Sequence, residues 1–204
     1  MNRAIDPNRT ALLFFDMLNG HIKQDNPETW GRVAPVVHNA IRLLQAARNE
    51  NVMIAYAYAN HRDDNGTTAQ TIRDTDNWMR PLSFDHRETR IFGAGSWEAK
   101  VIDELEPQPQ DYMIPKFRWN AFHQTYLDLA LRVKKIDTII ISGGSTDVGV
   151  ASTAYCARDL DYNLIFASDA STSHQMESHH YFMRNVFPRM GRVRTVGEIE
   201  DMLK

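Results

Sequence analysis

Cysteine is almost missing from this chain: Cys156 is the single thiol among 204 residues. One cysteine excludes an internal disulfide framework and any multi-cysteine zinc or iron–sulfur site, and leaves open a lone nucleophile or a packing thiol. Long apolar runs are missing as well. The most apolar stretches, Ala11–Phe15 and Thr138–Ile141, are far too short to span a bilayer. The polar start Met1–Arg9 has no apolar leader core, so the expected location is the cytoplasm, with no membrane as partner. Neither charge dominates. The 23 Lys and Arg against 26 Asp and Glu leave a net charge of −3, without the basic footprint that nucleic acid as a partner requires. Internal repeats and low-complexity tracts are absent.

What remains is a globular composition. Hydrophobic residues at 43% and charged residues at 24% exclude wholesale disorder. The length suits one domain over residues 1–204, large enough to bury a core without staples.

Strand-like and helix-like segments alternate. Thr10–Phe15 is a continuous apolar run ending in Asp16, as expected of a strand buried on both faces. Arg32–Asn49 has helical spacing, with Val33, Val37, Ile41 and Leu44 near one stripe. Asn51–Ala59 reads as a strand, Trp97–Leu105 as a short helix, Tyr112–Pro115 as a strand and Gln124–Lys134 as a helix. Asp137–Ser142 is the clearest buried strand; Gly143 and Gly144 end it, and Val148–Leu160 follows as a helix. Strand Asn163–Ala167, helix Met176–Val186, strand Val193–Thr195 and helix Glu198–Leu203 complete the pattern. Such alternation predicts a three-layer αβα fold, a mostly parallel sheet of five or six strands with helices on both faces.

Between His61 and Gly95 the periodicity breaks up, and a loop of that length commonly serves as a lid or binding segment. Trp78, Phe84 and the arginines Arg73, Arg80, Arg87 and Arg90 crowd it. Arginine there suits a carboxylate-bearing substrate, and equally a surface or subunit contact.

In parallel α/β sheets, ligands sit at the carboxyl ends of the strands. Asp16, His61, Lys116 and the turn Gly143–Gly149 all follow strands and converge on one expected crevice for a small-molecule substrate. A strand-end carboxylate is a proton-transfer candidate or a simple helix cap; a strand-end lysine is its ionic partner or a solvated surface group. The turn after Gly143 leads into a helix whose first N–H groups can meet a developing oxyanion, with Gly149 removing a side chain there. Trp119, Asn120 and Phe122 either line the crevice or belong to the core or a subunit contact. His61 is a pocket residue or a loop hydrogen-bonder. His174, His179 and His180 lack the spacing of a helical zinc pair and are expected on a solvated face.

The stretches ALLFFDMLNGHI, FGAGSWEAKVIDEL, IPKFRWNAFHQTYLDLALR and ISGGSTDVGVASTAYCARDLDYNLIFASDAST together resemble the isochorismatase-like cysteine hydrolases, from about Thr10 to the C-terminus. The resemblance implies a six-stranded parallel sheet and a triad of Asp, Lys and Cys. Asp16 and Lys116 match the first two. Where that family carries its nucleophile, this chain reads Thr146-Asp147-Val148-Gly149-Val150-Ala151-Ser152-Thr153-Ala154, with Gly149 at the cysteine position. Cys156 lies seven residues further on, about 10 Å along a helix, and is read as a buried packing thiol.

The resemblance also implies a cis peptide at Gly144–Ser145, with Ser145 and Gly149 supplying backbone N–H donors. It implies, too, a homo-oligomer. Metal-dependent relatives carry Asp-x-His after the second strand; Ala59-Asn60-His61 keeps only the histidine, so no metal and no other cofactor is expected.

Without the thiol, covalent acyl transfer has no nucleophile. Three readings follow. Asp16 drives hydrolysis of a vinyl ether, as in the isochorismatases proper, which resemble this chain in having Gly there. Alternatively it activates a water lodged where the thiol would be, for an amide-type bond. Lastly, the chain is a silent small-molecule-binding relative, or an amidase whose cysteine was replaced by Gly. Ser145-Thr146-Asp147 resembles the amidase branch more closely.

Overall fold

The computed structural model describes residues 4–23, 27–64, 66–67 and 92–204, and the side chains of all of these except 27–29. Six parallel strands form one sheet: β1 (Thr10–Phe15), β2 (Met53–Ala59), β3 (Tyr112–Lys116), β4 (Thr138–Gly144), β5 (Asn163–Thr172) and β6 (Arg192–Arg194), in the order β3-β2-β1-β4-β5-β6. The helices are α1 (Asn19–Ile22), α2 (Pro27–Asn49), α3 (Leu127–Val133), α4 (Ala151–Asp159), α5 (Met176–Tyr181) and α6 (Val196–Leu203).

Every residue of β1 is buried, because the strand is covered on both faces. Leu12 and Phe14 join Ile54, Tyr56, Ile140 and Ile165 under α2 and α6. Leu13 and Phe15 join Ile139, Ile141 and the alanines Ala55 and Ala57 under α3 and α4. Each fully buried Leu, Ile or Phe contributes about 1.5–3 kcal/mol of apolar transfer, so these two clusters hold the layers together. α6 adds a capping box, in which the Thr195 hydroxyl accepts from the Glu198 N–H while the Glu198 carboxylate accepts from the Thr195 N–H.

Strand order reverses between β1 and β4, where successive connections leave in opposite directions and open a crevice at the carboxyl ends. Gly143 closes that junction. It pairs with Phe15, has φ +114°, and any β-carbon there would overlap the Phe15 carbonyl oxygen. Just before it, between Ile141 and Gly143, the β4–β5 pairing shifts register, and it then continues to Thr172, so β5 extends past the expected end at Ala167.

Other boundaries differ for local reasons. The expected helix Trp97–Leu105 is reduced to a single 3-10 turn at Asp103–Leu105. Backbone carbonyls of Glu98 and Lys100 accept from Gly20 and Asn19, and Val101 bridges Leu18, so the segment straps the β1–α1 turn instead of coiling. The expected helix from Gln124 starts at Leu127, because Gln124 has φ 56° and the Thr125 hydroxyl caps the Leu127 N–H. Asn51, at φ 56°, likewise delays β2 to Met53. The helix expected from Val148 begins at Thr146, its first turn a π-turn over Thr146–Val150. The helix expected over Met176–Val186 turns π from Phe182 onward. Most of the expected lid, including Trp78, Phe84 and the four arginines 73, 80, 87 and 90, lies outside the described residues. Among the described residues no helix is long and apolar enough to cross a membrane.

Gly143→Ala would force a β-carbon into the β1 backbone at a positive φ. We expect it to lower unfolding stability in urea by at least about 2 kcal/mol, against about 1 kcal/mol for the exposed cap variant Thr195→Ala. Equal losses would contradict the role given to Gly143.

Candidate active site

Asp16 leaves β1 at φ 48°, a conformation that Asp adopts more readily than most residues, with its N–H on the Ala57 carbonyl at 2.9 Å. That turn aims the carboxylate across the end of β2. Its Oδ1 accepts from the Ala59 N–H at 3.1 Å, and its Oδ2 accepts from Lys116 Nζ at 2.6 Å. The two side chains are 11% and 6% exposed. Lys116 comes from the far side of β2, and it can reach because Ala57 and Ala59 leave its path clear. A buried ion pair of this kind persists only when further hydrogen bonds help satisfy it, and the Ala59 N–H supplies one.

The loop after β4 forms the opposite wall. Gly144–Ser145 is cis, as expected. The Ser145 carbonyl accepts from the Val148 and Val150 N–H groups, starting the helix. Asp147 Oδ1 accepts from the hydroxyls of Ser145 at 2.6 Å and Ser173 at 2.7 Å. Burial alone would push the Asp147 carboxyl up, yet those donors hold it below the ordinary carboxylate value. The Thr146 hydroxyl contacts the Thr172 carbonyl at 3.0 Å and His179 Nδ1 at 2.9 Å. His179 is therefore a buried brace of this loop and not the solvated residue expected, although His174 and His180 are exposed.

Gly149 lies in the π-turn, and a β-carbon there would overlap the ring of Phe15. The place a β-carbon would take at position 149 is occupied by that ring. Lys116 Nζ stands 4.5 Å from the centre of the same ring. Cys156 lies two turns deeper in α4 and is half-buried, not the fully buried thiol expected.

His61 follows β2; its N–H donates to the Phe92 carbonyl, and its ring approaches the Thr67 hydroxyl at 3.4 Å and Phe117 at 6.2 Å. Desolvation, then Lys116 and Arg118, draw its pKa below the ordinary value, which places its ring within electrostatic reach of the ion pair. Of the aromatic group after Lys116, Trp119 is 51% exposed, Asn120 Oδ1 caps the Phe122 N–H, and Phe122 stacks on Tyr162 at 5.9 Å against the core. Phe122 thus takes the core placement of the two left open above.

Two residues of this region escaped the sequence reading. One is Phe15, which looked like any other member of β1. The other is His21, whose ring meets Phe92 at 4.2 Å with a 30° tilt and which is electrostatically coupled to both Asp16 and Lys116. Desolvation draws its pKa down, against the attraction of Asp16. Its position on the turn after Asp16 was the available signal. Among the described residues no three His, Cys, Asp or Glu side chains group to hold a metal ion.

Residues 10–198 match the family model of the isochorismatase domain. The isochorismatase family protein YwoC of Bacillus subtilis is 33% identical over 201 residues, which cover 98% of this chain and 97% of that protein. The ureidoacrylate amidohydrolase RutB of Serratia proteamaculans is 29% identical over 179 residues, covering 82% of this chain and 71% of RutB. A cysteine hydrolase from Pseudomonas syringae superposes with a TM-score of 0.82 at 27% identity, over 98% of this chain and 94% of that one.

Burial lowers the pKa of His21, His61 and His179 below the ordinary 6.5. The unfolded chain then binds more protons than the folded one as pH falls below about 6.5, and stability falls with it until the folded-state values are passed. Unfolding free energy measured in urea should therefore be lower at pH 5.5 than at 7.5, and His179→Gln should reduce that difference. An undiminished difference in the variant would remove His179 from this account.

Proposed function

The chain belongs to the isochorismatase family of hydrolases, and on that footing we propose that it cleaves the C–N bond of a small amide or ureide by water, with Asp16 as the proton-transfer group. The observation that carries this is the buried Asp16–Lys116 pair at 2.6 Å at the carboxyl end of the sheet. A carboxylate held by an ammonium is an acceptor fixed in position for a proton from water.

Asp16 takes a proton from a water as the water oxygen bonds to the substrate carbonyl carbon. The resulting oxyanion meets the backbone N–H groups of Ser145 and Gly149, where donors set in advance cost no reorganisation. Asp16 then returns the proton to the leaving nitrogen as the C–N bond breaks. Lys116 keeps the carboxylate oriented through both steps. In this reading His61 borders the crevice, and Trp119 and Asn120, which follow Lys116 closely in sequence, meet the substrate's far end. Position 149 has no thiol, so no acyl-enzyme forms at the place where the family's cysteine would stand.

Two observations favour the amide type: the likeness to RutB, whose name states an amidohydrolase acting on ureidoacrylate, and the Ser145-Thr146-Asp147 turn. Gly149 itself favours the other reading, a vinyl-ether hydrolase in which Asp16 donates its proton to the substrate.

The test is a panel of amides, ureides and isochorismate-type enol ethers, with products identified. We expect an amide or ureide to be hydrolysed, and Asp16→Asn and Lys116→Met each to lower the rate by about 10²–10⁴-fold with the fold intact. Turnover of an enol ether alone would decide for the second reading, and an unchanged rate in Asp16→Asn would contradict both.

A further inference from the structure

Phe15 ends β1 immediately before Asp16 and is 1% exposed, so it is set deep beneath the site. Its partners across the sheet at that level are Ala57 and Gly143, the two smallest side chains available, and they leave lateral room for a ring. The ring leans under the first turn of the helix beginning at Thr146. A β-carbon built on Gly149 would collide with Cε1 and Cζ of Phe15 and would lie 3.3 Å from Cδ1. The same ring carries the Lys116 ammonium, 4.5 Å from its centroid, and that ammonium holds Asp16. One aromatic ring therefore meets both the position 149 backbone and the ion pair.

The physical consequences are definite. A packed interior does not readily yield a ring's volume for a new side chain, so a residue larger than glycine at 149 forces the Phe15 ring or the helix to shift. The ring face attracts an ammonium through its quadrupole, but it neither accepts the proton nor attacks a carbonyl. It also stands against Lys116, whose ammonium has Asp16 as its carboxylate contact. A thiolate at that position would instead have competed with Asp16 for Lys116.

We propose that the Phe15–Gly149 pair selects the reaction type of this site: the ring stands in the place of a side-chain nucleophile and presses Lys116 onto Asp16, which confines the site to direct attack by water. This rests on the Asp16–Lys116 hydrolysis proposed above and adds a positioning residue, Phe15, that acts through Lys116 and Gly149 without touching substrate. The two positions form a lock in which either one, changed alone, is wrong.

The experiment is a double-mutant cycle in a Cys156→Ser background, which removes the half-buried native thiol. Gly149→Cys, Phe15→Val and the combination are compared by thermal unfolding and by the pH dependence of alkylation with iodoacetamide. Gly149→Cys alone should lower Tm by about 5 °C or more through overpacking, and adding Phe15→Val should recover most of that loss. The thiol of the combined variant should alkylate with a midpoint well below the ordinary thiol value of about 8.5, since it would face the Lys116 ammonium. Adding Lys116→Met should return the midpoint toward that value, a shift that packing alone would not produce. Phe15→Leu serves in place of Phe15→Val if the smaller residue fails to fold. The proposal is overturned if Gly149→Cys alone is as stable as its background, if the two substitutions are additive, or if Lys116→Met leaves the midpoint unmoved. No substrate enters these measurements, so a failure of the Asp16 hydrolysis and a failure of the lock are read separately.

Discussion

The buried contact between Asp16 and Lys116 is the constraint to which the rest of the site is fitted. Bringing two charges out of water costs several kcal/mol per ion, and their attraction offsets this only with good geometry and added hydrogen bonds. The surroundings provide both. The left-handed turn at Asp16 aims the carboxylate, the Ala59 N–H satisfies its second oxygen, and small residues on β2 clear the way for the lysine from β3. Removing either partner would strand the other, so the pair is weak as a source of stability and strong as a device for fixing one carboxylate in one place.

The same economy of space runs across the strand-order reversal. Gly143 lets β4 lie against the Phe15 backbone, and Gly149 lets the following helix lie against the Phe15 ring. Both glycines are thus required by a single residue of β1. On the far side of the loop, Asp147 gathers the hydroxyls of Ser145 and Ser173, and His179 braces Thr146. The wall bearing the proposed oxyanion donors is held by the Thr172 carbonyl at the end of β5, by Ser173 just beyond it and by His179 of α5, none of them a proposed catalytic group.

The fold was legible because its strands are buried on both faces. TALLFF and the Asp137–Ser142 run carry no alternation, which is what a central parallel strand requires, and the order of strand and helix signals yields the layered sheet. Asp16 and Lys116 were legible as strand-end residues, and the strand order brings those ends together. What escaped were contacts between residues distant in sequence. Nothing in the one-dimensional pattern places the ring of Phe15 under Gly149, or the imidazole of His179 on Thr146. Element starts shifted where one residue took a positive φ, at Asn51 before β2 and at Gln124 before α3, and the helix predicted over Trp97–Leu105 gave way to backbone hydrogen bonds from the turn after β1. Local propensity does not register such competition.

The chain began as one with a single cysteine, and the structure moves the chemistry away from it. Cys156 lies deeper in α4, half-buried, while the ion pair and the loop after β4 meet around a position with no side chain. The most direct measurement is the intact mass of the enzyme quenched during turnover of a substrate found in the panel. Water attack driven by Asp16 predicts a chain of unmodified mass at every time point. An adduct of acyl mass on the chain would contradict it.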